Sequence, residues 1–278
     1  MSIIERSVQR MKNSNEPVNG NVERVLLSGG PPQPAVRGAP LAIDFEAAER
    51  AGFDIGASRS GHLHTQMRGL KRKILDAVVS RTNAQESPIV LVTSAVPGDG
   101  KSFIAMHLAV SYSTQLDLDV TLIDADIARH QISSLFKADD VSGLSECLLN
   151  RTPIAASVRP TEVASLSILV AGETSESAAE ALASSRWDEL AAQMHREGRG
   201  RLFIVDTAPV LATPEAQYLA KCADLVLFVV RAEVTPTDAV AEALGRLSNV
   251  SNVAFVFNGR STVGKQYLYS YGEYGARK

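Results

Sequence analysis

A glycine-rich segment at residues 95–102 (AVPGDGKS) carries the residue types that bind phosphate groups. It lies between a short β-branched run at 89–92 and an apolar helical pattern that starts at Phe103. Glycines let backbone N–H groups turn onto phosphate oxygens, and the N-terminus of the following helix adds partial positive charge. The segment therefore predicts a nucleotide-binding loop, although Ala95 stands where the commonest form of the motif has its first glycine. The residues predicted to bind the nucleotide here are Pro97, Gly98, Asp99, Gly100, Lys101, Ser102 and Phe103.

Three aspartates follow apolar runs that are typical of buried strands. Asp124 and Asp126 follow one run, and Asp206 follows another. Because side chains alternate along a strand, Asp124 and Asp126 leave it on the same face. One of them can serve a metal ion while the other accepts a proton from an incoming hydroxyl, and the residues leave open which does which. For Asp206 the alternative is a helix N-cap or a turn residue.

These residues together define a candidate phosphoryl-transfer site. Lys101 is expected to contact the β- and γ-phosphates of ATP, and the Ser102 hydroxyl is expected to ligate Mg²⁺. The predicted catalytic residues are Lys101, Asp124, Asp126 and Asp206, and the predicted metal ligands are Ser102, Asp124 and Asp206.

Apolar runs alternate with helical patterns along the rest of the chain. Strands are predicted at 89–92, 120–123, 166–170, 202–205, 225–230 and 253–257. Continuous apolar strands separated by helices predict an α/β, P-loop NTPase-like fold of three layers, with a mainly parallel sheet covered by helices on both faces. Ligands of such sheets bind beyond the carboxyl ends of the strands. Asn258 ends the last strand and is therefore added to the predicted nucleotide-binding residues.

The composition restricts the function further. The chain has 278 residues, is 45% hydrophobic and carries a net charge of −3, which gives no reason to expect a nucleic-acid partner. It contains no apolar run long enough to cross a bilayer and no signal-peptide pattern at its start, so a cytoplasmic location is expected. Cys147 and Cys222 lack metal-ligand spacing, and neither a disulfide nor a metal role is expected for them.

Both ends of the chain differ from its centre. We expect a partly flexible N-terminal extension or linker over 1–60, the P-loop domain over 61–262 and a tyrosine-rich tail over 263–278. A helix predicted at 61–80 has a basic face, which is interpreted as a solvated surface or a subunit contact.

The tail contains four of the six tyrosines of the chain, Tyr267, Tyr269, Tyr271 and Tyr274. The alternation of the first three is typical of an edge strand. A position at the chain end among glycines is equally typical of a mobile segment that accepts phosphate. Both interpretations remain open from these residues alone.

The motifs together resemble those of the bacterial tyrosine autokinases (BY-kinases) of exopolysaccharide and capsule export. The resemblance runs from about residue 61 to the end. It rests on 94–102 (SAVPGDGKS) as Walker A, 122–126 (LIDAD) as a second Walker-like motif, 206–209 (DTAP) as Walker B, and the tyrosine tail. The opening MSIIERSVQR resembles the branch found with exosortase-linked polysaccharide loci.

The resemblance implies an activity and partners. It implies that ATP and Mg²⁺ are bound at Lys101 and Ser102, and that the tail tyrosines are phosphorylated by a neighbouring copy in a homo-oligomer. It further implies a separate membrane-embedded chain-length or copolymerase protein as activator, which would hold the kinase at the inner face of the plasma membrane, and a tyrosine phosphatase as a further partner. The function implied is regulation of exopolysaccharide polymerisation and export.

Two departures from the family pattern concern assembly and phosphate contacts. The E-x-x-R-x-x-R segment that supports ring assembly in the family has as its best counterpart Thr65-x-x-Arg68-x-x-Lys71, so the glutamate is absent. The Arg-Arg-Pro that follows the second motif in the family is replaced by residues 128–130 (ARH).

The alternative function is that of a MinD/ParA-like positioning ATPase that dimerises with nucleotide. Such proteins typically have a second lysine early in the loop. Val96 occupies that position here and argues against this class.

Overall fold

The computed structural model describes residues 39–53, 55, 62–79, 86–136, 138 and 141–259. Within them the α-helices are Phe45–Arg50 (α1), His62–Val79 (α2), Lys101–Ser113 (α3), Leu144–Leu148 (α4), Ile154–Ser157 (α5), Glu176–Leu182 (α6), Ser185–His195 (α7), Glu215–Leu219 (α8) and Thr237–Arg246 (α9). The strands are Ile89–Ser94 (β1), Asp119–Asp124 (β2), Arg159–Pro160 (β3), Leu166–Leu169 (β4), Arg201–Asp206 (β5), Leu225–Arg231 (β6) and Val253–Asn258 (β7). Short 3₁₀ turns occupy Ser133–Leu135 and Ala220–Cys222.

The strands form one sheet in the order β3-β4-β2-β5-β1-β6-β7. Every neighbouring pair is parallel except β3 with β4, which is antiparallel and lies at one edge. Parallel strands need crossover connections, and the helices between the strands supply them. The predicted mainly parallel sheet is confirmed, and the short β3 was not predicted.

Alternating residues of each central strand face two separate cores. In β1, Val90 and Val92 pack with α2 and α3 on one side, whereas Ile89 and Leu91 pack with α4 and α6–α9 on the other. This alternation explains why the central strands are apolar throughout, since both faces are buried. The predicted three-layer arrangement is confirmed.

The helical region between β4 and β5 is divided into two helices, α6 and α7. Ser184 accepts a hydrogen bond from Arg186 N through its hydroxyl and caps α7, which separates α7 from α6. Serine is more favourable at an N-cap than in a helix interior, because its hydroxyl can accept a hydrogen bond from a free N–H of the first turn.

Residues before the predicted domain boundary at 61 pack on the domain. Leu41 forms a parallel bridge with Thr161, and Ile43 forms an antiparallel bridge with Phe136. Phe53 is buried in the same core as α3. Residues 39–53 therefore belong to the folded domain, which extends before the predicted boundary at 61. Residues 1–38 of the predicted extension, and the whole predicted tail at 263–278, lie outside the described residues.

Helix α2 packs along α3 and leaves a basic face exposed. Arg68, Arg72 and Lys73 lie on that exposed face. Lys71 turns inward, where its ammonium donates to Ser111 O at 3.2 Å and lies 5.7 Å from the centre of the Tyr112 ring. Lys71 is the third named position of the segment that corresponds to the family's E-x-x-R-x-x-R, and it therefore contacts α3 of the same chain.

No helix in the part of the chain that the structure describes is long and apolar enough to span a membrane.

A histidine–aspartate pair joins α7 to the amino-terminal end of the sheet. His195 Nε2 lies 3.1 Å from Asp224 Oδ2, and the same oxygen accepts a hydrogen bond from Ile89 N at 2.8 Å. The hydrogen bond with Asp224 raises the pKa of His195 above its ordinary value of 6.5, although partial burial opposes this. The pair is therefore strongest when His195 is protonated.

We expect His195→Gln to destabilise the fold more at acidic than at alkaline pH. A raised pKa in the folded state means that the stabilisation is complete below 6.5 and is lost as pH rises through the folded value. At about pH 5.5 the loss should be about 1 kcal/mol, the usual net value of one hydrogen bond to a partly exposed charge. Urea unfolding at acidic and at alkaline pH measures it. An equal loss at both pH values would contradict a role for the protonated ring.

Candidate functional site

The order of the sheet brings the predicted site residues to one place. β5 lies between β1 and β2, and Asp206 is in register with both Val92 of β1 and Asp124 of β2. The phosphate-loop segment leaves the carboxyl end of β1, beside these aspartates. The predicted meeting of loop and carboxylates is therefore observed in the structure.

The loop between β1 and α3 has the backbone of a phosphate cradle. Gly98 and Gly100 have φ values of 91° and 93°, which L side chains rarely adopt, so glycine is required at both. At Gly100 an added Cβ would also collide with the side-chain amide of Asn258. The helix begins directly at Lys101, so the N–H groups of its first turn face the loop without helical partners.

Lys101 is buried within a cluster of carboxylates. Its ammonium lies 2.8 Å from Asp126 Oδ2 and 3.9 Å from Asp206 Oδ2, and it donates to Ser102 Oγ at 3.1 Å. Burial opposes the charged form, but the charges of Asp206, Asp126 and Asp124 outweigh it and raise the pKa of Lys101. The lysine is therefore a fixed cation at the end of the loop.

Asp206 is completely buried, and neither of its carboxylate oxygens has a well-aligned hydrogen-bond partner among the described residues. Burial raises its pKa to about 7, and the charge of Lys101 limits the rise. A buried carboxylate without hydrogen bonds is costly unless nearby cations or a proton compensate it, and the nearest cation, Lys101, is 3.9 Å away. This arrangement fits a divalent cation close to Asp206.

A magnesium ion here would need oxygen ligands besides carboxylates. Within the described ranges, no three His, Cys, Asp or Glu side chains are arranged to hold a metal by themselves. Magnesium in nucleotide sites is usually held by one or two carboxylates together with phosphate oxygens and water. Ser102 and Asp206, with the phosphates of a nucleotide, match that set.

Asp124 is held by a residue that the sequence analysis did not identify. Its Oδ2 accepts hydrogen bonds from Ser133 N at 2.8 Å and from Ser133 Oγ at 2.7 Å, and Ser133 Oγ also accepts one from Ala171 N at 2.8 Å. Burial raises the pKa of Asp124, and the two bonds from Ser133 lower it. Ser133 thus fixes the direction of this carboxylate.

Several predicted nucleotide-binding residues have other contacts. The Phe103 ring packs in a tilted arrangement against His107 and Phe53, with ring centroids 4.1 Å and 6.3 Å away. Asp99 is buried and accepts hydrogen bonds from Val96 N at 3.2 Å and from the Thr235 hydroxyl at 2.6 Å. Its carboxylate therefore holds the loop itself.

Two further predicted residues lie at the loop's outer side. Pro97 is exposed at the tip of the turn. Asn258, at the end of β7, donates through its amide to Asp99 O at 3.0 Å. The predicted tail tyrosines lie outside the described residues.

Gly143, the N-cap of α4, and Leu144, its first residue, have a packing role. A Cβ at Gly143 would collide with backbone atoms of Val170 and Gly172, and Leu144 is completely buried. Glu146 accepts hydrogen bonds from Gly143 N at 2.6 Å and, through its other oxygen, from Glu173 N at 3.1 Å. This packing joins the segment after β2 to the end of β4.

Sequence comparison with known proteins finds relatives whose matches cover about three quarters of this chain. The chain is 30% identical over 212 residues to the tyrosine-protein kinase YwqD of Bacillus subtilis, covering 76% of this chain and 84% of YwqD. It is 28% identical over 215 residues to the putative tyrosine-protein kinase CapB of Staphylococcus aureus, covering 75% and 90% of the two chains. Its match to the tyrosine-protein kinase wzc of Salmonella typhimurium, 30% over 161 residues, spans 58% of this chain and only 22% of that relative. No protein-family model matches the sequence.

Two solved structures have a fold similar to that of this chain. The kinase domain of the Escherichia coli tyrosine kinase ETK has a TM-score of 0.61 and 25% identity, covering 85% of this chain and 88% of that one. The chimerical protein CapA2B2, at 24% identity, shares the fold with a TM-score of 0.62 over 78% of this chain and 93% of its own. With its loop, its buried lysine and its carboxylates at the strand ends, the chain belongs to the family of bacterial tyrosine-protein kinases.

Proposed function

We propose that this chain transfers the γ-phosphate of ATP to the tail tyrosines of a neighbouring copy. The observation that carries the proposal is Lys101, buried between the phosphate loop and three aspartates in a chain of this family. The proposed acceptors are Tyr267, Tyr269, Tyr271 and Tyr274.

In this proposal the residues have separate roles. The loop N–H groups and Lys101 bind the β- and γ-phosphates. The bond between the γ-phosphorus and the ADP oxygen breaks, a bond from the phenol oxygen to phosphorus forms, and the phenol proton passes to a carboxylate at the end of β2, Asp124 or Asp126. A Mg²⁺ ion held by Ser102 and Asp206, with Asp124 nearby, would neutralise charge on the phosphates.

The direct test is phosphate gain on the tail. Purified protein with Mg-ATP should gain phosphates that peptide mass spectrometry assigns to tail tyrosines, because the site combines a phosphate loop, a buried cation and carboxylates that can accept the phenol proton. The variant with all four tail tyrosines changed to Phe should gain none and should still bind Mg-ADP. Phosphate on serine or threonine alone would contradict the proposal.

We propose that phosphorylation regulates exopolysaccharide polymerisation or export, in the exosortase-associated branch. The proposed partners are copies of this chain, a separate membrane-embedded chain-length protein that activates the kinase from the cytoplasmic side, and a tyrosine phosphatase. The alternative of a positioning ATPase predicts nucleotide-driven dimerisation with release of inorganic phosphate and no phosphotyrosine.

A further inference from the structure

The outer side of the phosphate loop is held by residues from two distant strands. Thr235, in the turn between β6 and α9, donates its hydroxyl proton to Asp99 Oδ1 at 2.6 Å and accepts a hydrogen bond from Arg231 N at 2.9 Å. Arg231 Nη1 donates to Gly98 O at 3.3 Å, and Asn258 Nδ2 donates to Asp99 O at 3.0 Å. We call these three residues, Thr235, Arg231 and Asn258, the loop clamp.

The hydrogen bonds from Arg231 and Asn258 to backbone carbonyls of the loop fix the orientation of two peptide planes. In a trans peptide unit the carbonyl of one residue and the N–H of the next point in opposite directions. Since the carbonyls of Gly98 and Asp99 are drawn outward by Arg231 and Asn258, the N–H groups of Asp99 and Gly100 are directed away from the clamp. Neither N–H donates to another group within the described part of the chain.

Asp99 connects the clamp to the base of the loop. One of its oxygens accepts from Thr235, and the other accepts from Val96 N at 3.2 Å, so the carboxylate spans the turn. Asp99 is buried, and a hydrogen bond to a charged acceptor in a buried place is stronger than a neutral one. Loss of the Thr235 hydroxyl would therefore remove one of the two hydrogen bonds to the carboxylate and, at the same time, the bond that links it to the turn after β6.

We infer that Thr235, with Arg231, is a positioning residue that presets the N–H groups of the loop for the phosphates of a nucleoside di- or triphosphate. The inference rests on the proposed function in that it takes a nucleotide as the ligand of the loop. A preset cradle loses less conformational freedom when the nucleotide binds, so the clamp contributes to affinity without contacting the ligand.

The test compares nucleotide affinity across substitutions that keep the shape of the side chain. Thr235→Val removes the hydroxyl and should weaken Mg-ADP binding in calorimetry by about tenfold, the effect of one charged hydrogen bond. Thr235→Ser keeps the hydroxyl and should bind like the unchanged protein. Thr237→Val makes the same chemical change at an exposed position two residues away and serves as the matched control.

Two further measurements separate positioning from general destabilisation. Hydrogen exchange of the peptide covering residues 96–100 in the nucleotide-free protein should become faster in Thr235→Val and stay unchanged in Thr237→Val. In kinase assays the KM for ATP should rise more than kcat falls. Arg231→Met, at an exposed side chain, should weaken Mg-ADP binding in the same direction even if Thr235→Val folds poorly.

The outcomes of these experiments distinguish a failure of the loop-clamp inference from a failure of the kinase proposal. Unchanged Mg-ADP affinity and unchanged exchange in both Thr235→Val and Arg231→Met overturn the inference. An unchanged protein that binds Mg-ADP but transfers no phosphate to tyrosine contradicts the kinase proposal and leaves the clamp intact. An unchanged protein that binds no nucleotide overturns both.

Discussion

Lys101→Met is expected to lower tyrosine phosphorylation by at least about a hundredfold, the loss typical for a buried donor aimed at transition-state charge. Methionine keeps the length of the side chain and removes the cation. The ammonium lies at 2.8 Å from Asp126 and 3.9 Å from Asp206, so a nucleotide would then meet carboxylates with no lysine between them. Initial rates of phosphotyrosine formation with Mg-ATP measure the effect.

Lys221→Met is the matched control for this substitution. Lys221 is exposed, and its ammonium lies 5.2 Å from the centre of the Tyr218 ring, away from the loop. Its variant should keep its rate. A Lys101→Met protein that melts like the unchanged protein and phosphorylates tyrosine at a comparable rate would refute the assigned role of Lys101.

Mixing two inactive variants should restore phosphorylation if transfer occurs between copies. One variant is Lys101→Met with an intact tail, and the other has an intact site and Phe in place of Tyr267, Tyr269, Tyr271 and Tyr274. Phosphate should appear only on the tail of the Lys101→Met chain, at least about a hundredfold above that chain alone. A size tag on one variant lets mass spectrometry assign the modified chain.

The mixing experiment is needed because chain length does not decide the question. Gly259 directly follows the strand whose Asn258 contacts the loop. Eight residues lead from Gly259 to Tyr267 and can span about 26 Å when extended, so chain length is compatible with transfer within one chain as well as between copies. A mixture that stays without phosphotyrosine while the unchanged protein is active would show transfer within one chain. Rates that rise with protein concentration would agree with transfer between copies.

The amino-acid sequence determined the local features of this protein. The strands β1, β2, β4, β5, β6 and β7 were predicted to within two residues at each end, because largely buried apolar runs differ sharply from the helical patterns between them. The phosphate loop was predictable because the positive φ values at positions 98 and 100 require glycine, and because Lys101 follows these glycines at the spacing of the motif. The placement of Asp124 and Asp206 at one edge followed from the common direction of parallel strands.

Tertiary structure alone decided which side chains meet. Ser133 holds Asp124 from nine residues away, and Thr235 holds Asp99 from 136 residues away. Serine and threonine occur throughout the chain, and no local pattern distinguishes a hydroxyl that will face a carboxylate after folding. The pairing of Lys101 with Asp126 and the packing of Leu41 and Ile43 on the domain likewise depend on strand order and crossover, which bring together residues that no spacing in the sequence relates.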